Sequence, residues 1–215
     1  MKKKIFIIGI GGLTGSKLVE IAKKDFEIFG SYNYRDPKSA IQKNTKLDIS
    51  NSTKIKEILE EIKPDVVINT AGINNVDYCE KNPDEALKIN IQAVKEICQI
   101  TKKLGIKFVQ LSSDSVFDGT KQLPYEETDE TKAINYYGKT KIESEKIVLE
   151  NPNNVVVRAS VLYGYLPHNL AKIESSSKKS INFGQWLINK LSINEKVRII
   201  TDEYSSPIIA DDFAR

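Results

Sequence analysis

Short apolar runs alternate with stretches of helical periodicity along nearly the whole chain. Ile5-Phe6-Ile7-Ile8 is an unbroken apolar run and predicts a buried strand over residues 4–9. A helix is expected over 14–24, a strand over 27–31 and a short strand over 46–49. Residues 52–62 read as an amphipathic helix, with Ile55, Ile58, Leu59 and Ile62 on one face. A strand follows Pro64 over 65–69. Pro83 opens a long helix to about Leu104, whose apolar side includes Ala86, Ile89, Val94, Ile97 and Ile100. Then come a strand over 106–111, a helix over 135–150, a strand over 154–159, a helix over 183–191 and a strand over 196–200. The Ser/Lys/Asn-rich stretch 167–180 reads as a mobile loop, and 211–215 as the start of another helix. Strands separated by helices of this length make parallel βαβ units. The expected fold class is therefore α/β: a Rossmann-like doubly wound parallel sheet with helices on both faces.

Composition narrows the chemistry. The chain has 215 residues, 40% hydrophobic and 28% charged, which suits one α/β domain with a small appendage. A net charge of +3 gives no argument for nucleic acid or an anionic membrane as partner. No apolar run approaches the ~20 residues that span a bilayer. Cys79 and Cys98 form neither a metal pattern nor a disulfide framework, which fits a reducing cytoplasm. A single histidine, His168, removes multi-histidine metal sites and makes a Ser-His-Asp relay hard to build.

The first strand runs into Gly9-Ile10-Gly11-Gly12-Leu13-Thr14-Gly15, with Gly9, Gly12 and Gly15 three apart. Glycine lets the backbone turn tightly and approach a pyrophosphate, and the helix behind it offers N–H donors. This strand–turn–helix context predicts a dinucleotide site. After the second strand an acidic residue would meet a ribose 2′-hydroxyl, but Ser31-Tyr32-Asn33-Tyr34-Arg35 stands there. Arg35 favours NADP over NAD. Asp48-Ile49 suits an adenine, Asp48 by hydrogen bonding and Ile49 by packing; Asp48 could equally cap the next helix, as could Ser50 or Ser52. Asn69-Thr70-Ala71-Gly72 brings small residues to the carboxyl edge of the sheet, where a ligand lies.

Tyr137 and Lys141 are four residues apart, so on a helix they share one face with Cβ atoms about 5–6 Å apart. A phenol ordinarily holds its proton to about pH 10. An ammonium ~4 Å away, at an effective dielectric of ~20, favours the phenolate by roughly 4 kcal/mol. A tyrosine lowered in that way can exchange a proton with a substrate oxygen at neutral pH.

The chain resembles the extended short-chain dehydrogenases/reductases, most of all the dTDP-4-dehydrorhamnose reductase family. The likeness is carried by Gly9-x-x-Gly12-x-x-Gly15, Leu47-Asp48-Ile49, Asn69-Thr70-Ala71-Gly72, Val76-Asp77-x-x-Glu80, Lys88-Ile89-Asn90, Leu111-Ser112-Ser113-Asp114-Ser115-Val116-Phe117-Asp118-Gly119, Tyr137-Gly138-Lys139-Thr140-Lys141 and Arg158-Ala159-Ser160-Val161-Leu162-Tyr163-Gly164. The resemblance implies NADPH-dependent reduction of a 4-keto group on a nucleotide-linked deoxysugar. It assigns Ser113 to the reacting carbonyl, with Asp114 beside the substrate, and Tyr137 as general acid. Lys141 would grip the nicotinamide ribose and Asn90 would order a proton-relay water. It further implies residues 1–160 as the NAD(P)-binding domain, 161–215 as a partial substrate lobe that ends early, a cytoplasmic protein and a homodimer.

Two positions depart from the family pattern. Ser115 stands where an aromatic is usual and Val161 where tryptophan is frequent, and both aromatics help hold substrate in the family. Two alternatives share much of the pattern. One is an NADP-binding regulatory module like the regulatory subunit of methionine adenosyltransferase. The other is a nucleotide-sugar epimerase or dehydratase; a dehydratase usually has a glutamate where Ser115 stands.

Overall fold

Six short strands, central ones apolar on both faces, form one all-parallel sheet in the order β3-β2-β1-β4-β5-β6. They are β1 (Lys4–Ile8), β2 (Glu27–Tyr32), β3 (Lys43–Lys46), β4 (Val66–Asn69), β5 (Lys107–Ser113) and β6 (Val155–Ala159). The computed structural model describes residues 2–38, 41–166, 170, 175 and 182–215. The helices are α1 (Leu13–Ala22), α2 (Ser52–Ile62), α3 (Val76–Lys81), α4 (Pro83–Leu87), α5 (Ala93–Leu104), α6 (Tyr136–Leu149), α7 (Phe183–Ser192) and α8 (Ala210–Phe213).

Side chains alternate along β1, so one strand feeds two cores. Phe6 and Ile8 pack with Ile55, Ile58 and Leu59 of α2 and Val94 and Ile97 of α5. Ile5 and Ile7 pack on the other face with Val19 of α1 and Ile28. The chain runs outward from β1 to β3, then returns to β4 on the opposite side of β1. The expected doubly wound class is the one observed, and its switch point lies between β1 and β4. Ligands of such sheets bind in the crevice beyond the strands' carboxyl ends there.

Several elements differ from the sequence expectation. The third strand is Lys43–Lys46 rather than 46–49, because the edge position tolerates the polar Lys-Asn-Thr-Lys stretch while Leu47 and Ile49 turn into the core. Helix α3 has no apolar periodicity to betray it; Asn75 caps it by accepting from Tyr78 N at 3.0 Å. The long helix is interrupted by a π-turn over Lys88–Gln92, centred on a buried asparagine. The expected strand over 196–200 is absent, for that stretch is largely exposed and meets no strand edge. Instead β7 (Leu162–Tyr163) pairs in parallel with β8 (Ile208–Ile209), and α8 follows. Lys17 of α1 meets Asp211 of α8 at 2.9 Å, tying this second layer to the glycine-rich turn's own helix. His168 and nearly all of the expected loop 167–180 lie outside the described residues.

The glycine-rich turn is tight in earnest. Gly9 has φ +94, and a Cβ on Gly15 would lie 2.2 Å from the Gly9 carbonyl oxygen. Gly15→Ala is expected to lower stability by about 1–3 kcal/mol, read from the urea midpoint. An unchanged midpoint would show that the turn has slack.

Candidate active site

Gly9 N and Ile10 N donate to the Ser31 carbonyl and Gly12 N to the Gly9 carbonyl, so the donors on offer at the cradle are those of the helix behind it. Helix α1 starts at Gly12 without a side-chain cap, and no acidic residue stands in its first turn. Its leading N–H groups, from Leu13 and Thr14 onward, face the position an anion would take. A cavity of about 110 Å³ opens beside it, lined by Gly9, residues 31–34, residues 47–49, Ala71, Gly72 and Glu85. Arg35 packs against the cradle: a Cβ on Gly11 would lie 2.1 Å from the Arg35 carbonyl oxygen. Its guanidinium is largely buried, which draws it below its ordinary value, yet arginine remains a cation at any working pH.

Asp48 and Ile49 both line the cavity. Asp48 Oδ1 accepts from Ser50 N and Ser50 Oγ, both at 2.9 Å. Neither serine caps α2; Asn51 does, accepting from Lys54 N at 3.0 Å. Thr70 Oγ1 donates to the Ile8 carbonyl at 2.8 Å, and Asn69 Oδ1 accepts from Ala71 N at 3.0 Å. The first bond holds the end of β4 against the end of β1, and the second fixes the turn that leaves β4. Ala71 and Gly72 line the cavity at the strand's carboxyl end, while Thr70 turns to the end of β1.

Ser113, at the last position of β5, comes next to Tyr137, in the first turn of α6. Ser113 Oγ lies 3.0 Å from Asp114 Oδ1 and 3.1 Å from Ser115 Oγ. Asp114 Oδ2 in turn accepts from Ser160 Oγ at 2.5 Å. The start of α6 is fixed by Asn135, which accepts from Gly138 N at 2.8 Å, and by Glu80 of α3, which accepts from Tyr136 N at 2.6 Å. Lys141 Nζ donates to the Leu111 carbonyl at 2.9 Å and lies 5.8 Å from the Tyr137 ring centroid. Asn90 is buried with its amide committed: Oδ1 accepts from Ile73 N at 2.9 Å, and Nδ2 donates to the Ile73 carbonyl at 2.9 Å and to Thr140 Oγ1 at 3.1 Å. It clamps the π-turn to both the β4–α3 connection and α6.

The electrostatics correct one expectation. The Tyr137 phenol is not lowered in the free chain; burial pushes it above its ordinary value. Hydrogen bonding with Ser113 pulls it down, while Cys79 and Asp114 push it further up. Lys141 spends its hydrogen bond on Leu111 rather than on the phenol oxygen, so desolvation wins. The free site therefore holds Tyr137 protonated. Lys141 is drawn down to about 8, chiefly by burial, with Glu145 and Cys79 acting the other way. Cys79 is itself pushed up to about 11 and stays a neutral thiol.

Sequence reasoning missed two residues here. A Cβ on Gly138 would lie 2.1 Å from the Ser115 carbonyl oxygen, so this glycine lets α6 approach the Ser113 turn closely enough for serine and tyrosine to meet. Its signal was present: glycine inside a helix is unfavourable by about 1 kcal/mol and asks for a packing reason. Glu145 pairs with Arg158 behind Lys141; its signal was a charged residue on the helix face already carrying Tyr137 and Lys141.

Rossmann-type folds with a tyrosine and a lysine four residues apart beside the cofactor crevice form the short-chain dehydrogenase/reductase class, and this chain has that build. It belongs to the RmlD substrate binding domain family, which matches residues 2–215. It is 31% identical over 211 residues to the "Probable low-salt glycan biosynthesis reductase Agl14" of Haloferax volcanii, covering 97% of this chain and 67% of that one. It is 31% identical over 197 residues to methionine adenosyltransferase 2 subunit beta of Bos taurus, covering 86% of this chain and 56% of that one. Among solved structures, the dTDP-4-dehydrorhamnose reductase of Bacillus anthracis in complex with NADP superposes with a TM-score of 0.82 at 28% identity, covering 100% of this chain and 69% of that one. The chain thus spans between about half and two thirds of the curated relatives' length. Among the described residues no cluster could hold a metal ion, and no helix is long and apolar enough to cross a membrane.

The buried lysine gives a direct test. Between about pH 8 and the ordinary lysine value of 10.5, folding leaves Lys141 with fewer bound protons than the unfolded chain has. Stability therefore rises with pH across that window through this group. Wild type is expected to gain stability relative to Lys141→Met as pH climbs through it, measured by urea unfolding of both proteins. A difference independent of pH would mean that the ammonium is not desolvated.

Proposed function

We propose that this chain binds NADPH and reduces a 4-keto group on a nucleotide-linked deoxysugar. The observation that carries the reading is the meeting of Ser113 and a protonated Tyr137 over buried Lys141, at the same sheet edge as the glycine cradle. The names of the haloarchaeal and Bacillus anthracis relatives support it. The uncapped start of α1 and the close backbone turn fit a pyrophosphate, and Arg35, whose backbone packs against that turn, is the cation this reading assigns to a 2′-phosphate. When bound, NADPH supplies hydride to the carbonyl carbon. Negative charge then grows on the carbonyl oxygen, where Ser113 donates a hydrogen bond and Tyr137 donates its proton. Lys141 stabilises the phenolate left behind and holds the nicotinamide ribose. Asn90 keeps the π-turn in place; with both amide hydrogens spent on Ile73 and Thr140, a relay water it orders would donate to an acceptor of that residue. In this reading residues 1–160 form the cofactor half and 161–215 the beginning of a substrate lobe, with Asp114 beside the sugar. A cytoplasmic homodimer completes it.

Tyr137→Phe is expected to lower the rate of NADPH oxidation with a dTDP-4-keto-6-deoxy-sugar by about 10²–10⁴-fold, with NADPH affinity changed less than about threefold. The absorbance of NADPH follows the first and its fluorescence the second. Tight NADPH binding by wild type without turnover of any keto-sugar would favour a binding module instead.

Cofactor choice is tested separately. Arg35→Ala is expected to reduce the preference for NADPH over NADH by about 10- to 100-fold, since a hydrogen bond to a charged group contributes about 1.5–3 kcal/mol. An unchanged affinity ratio would remove Arg35 from the 2′-phosphate.

A further inference from the structure

The buried face of α6 reads Tyr137, Lys141, Glu145 and Val148. Lys141 is 7% exposed and Glu145 4%, so two opposite charges sit one helical turn apart in the interior. Buried charges persist where they are compensated. The bond from Lys141 Nζ goes to a neutral carbonyl and supplies no negative charge. Glu145 is gripped from β6: Arg158 Nε donates to Oε1 at 3.0 Å and Nη2 to Oε2 at 2.7 Å. Arg158 is itself aimed by the Glu127 carbonyl at 3.2 Å and by the Phe117 ring, 5.1 Å from its guanidinium carbon.

The other groups around Lys141 do less. Cys79, from α3, stays a neutral thiol. Asp114, from the turn after β5, is engaged by Ser113 and Ser160 and acts on Tyr137. The π-turn presents neutral Asn90, and α6 itself adds Tyr137. Glu85 of α4 is occupied by the Tyr78 hydroxyl at 2.5 Å, and Glu80 of α3 by the start of α6.

We propose that Glu145 is a positioning residue for the reduction: clamped by Arg158 one turn beyond Lys141, its carboxylate keeps the Lys141 ammonium charged beneath Tyr137. The role assigned to Lys141 rests on the reductase reading above. Burial alone draws the lysine toward neutrality, and Glu145 opposes that. A neutral Lys141 would no longer stabilise a phenolate.

The test is NMR titration of isotope-labelled lysine side chains in the full chain, which needs no substrate. One lysine resonance should titrate near about 8 and be missing in Lys141→Arg. Glu145→Gln should move it down by about one to two pH units, and Glu145→Asp should recover part of that. Because Glu145→Gln leaves the half-buried Arg158 without its partner, Glu145→Gln/Arg158→Gln is measured beside it; losing both charges should still move the resonance down, by about half as much. Arg158→Gln, which leaves the carboxylate unopposed, should move it up. A resonance that stays within about 0.3 pH unit of wild type in whichever of these variants fold overturns the proposal. The expected shifts in a protein that reduces no keto-sugar would instead overturn the reductase reading and leave the Glu145–Lys141 coupling standing.

Discussion

The Lys141 ammonium, taken out of water beneath Tyr137, is the constraint around which the site is arranged. Burial draws it down to about 8 even with Glu145 and Cys79 acting the other way. Keeping it in place takes a carbonyl from β5, a carboxylate from its own helix and an arginine from β6 to hold that carboxylate. Three elements must therefore converge within a few ångströms, and they converge only because α6 lies almost against the turn after β5. Gly138 permits that approach, having no Cβ to meet the Ser115 carbonyl. The buried polar face of α6 is thus one cooperative unit, in which losing a single member leaves another group desolvated without its partner.

The sheet brings the second half of the site to the same place. Because the strand order reverses between β1 and β4, the ends of both strands border an open crevice instead of a covered helix junction. The glycine turn leaves β1 there, and residues 70–72 leave β4 there. Thr70 and Asn69 bind these ends to one another and to the core, so the crevice walls are strand ends with little freedom. The Asn90 clamp then joins β4's exit to α6 through Ile73 and Thr140. A ligand cradled at β1 is in this way referenced to Tyr137 through short polar bonds rather than through a loop.

Much of this was legible in the chain. The fold class follows from the alternation of apolar strands and amphipathic helices, and the cradle from three glycines between a strand and a helix. Both are local signals, written within one βα unit. The Tyr137–Lys141 pair was legible as a spacing, but its electrostatics were not. Spacing shows that two groups can approach; it does not show that Lys141 turns to Leu111 or that burial lifts the phenol. The π-turn was hidden for a related reason. Residues 83–104 carry an uninterrupted helical pattern, and the extra residue is accommodated because Asn90 bonds to Ile73, seventeen positions away. The third strand was misplaced by its most apolar stretch, since an edge strand needs no apolar residues and Leu47 and Ile49 serve the core after the strand has ended.

The distribution of cost within the fold bears on whether such a site turns over substrate or only holds a nucleotide. A binding module needs the cradle, Arg35 and the small residues of β4, none of which lies on α6. It gains nothing from a desolvated ammonium, a phenol held protonated beside it and a serine hydrogen-bonded to that phenol. Replacing a buried ion pair by apolar side chains of similar size is often neutral or stabilising. A chain free to drop its chemistry would therefore have an easy route to a quieter α6, with apolar residues at 141 and 145 and a hydrophobic partner at 158. This chain has all three charges and also Gly138, the residue that lets Tyr137 meet Ser113. That expense is explained by a proton that has to move, and it weighs toward the reductase reading over a binding module.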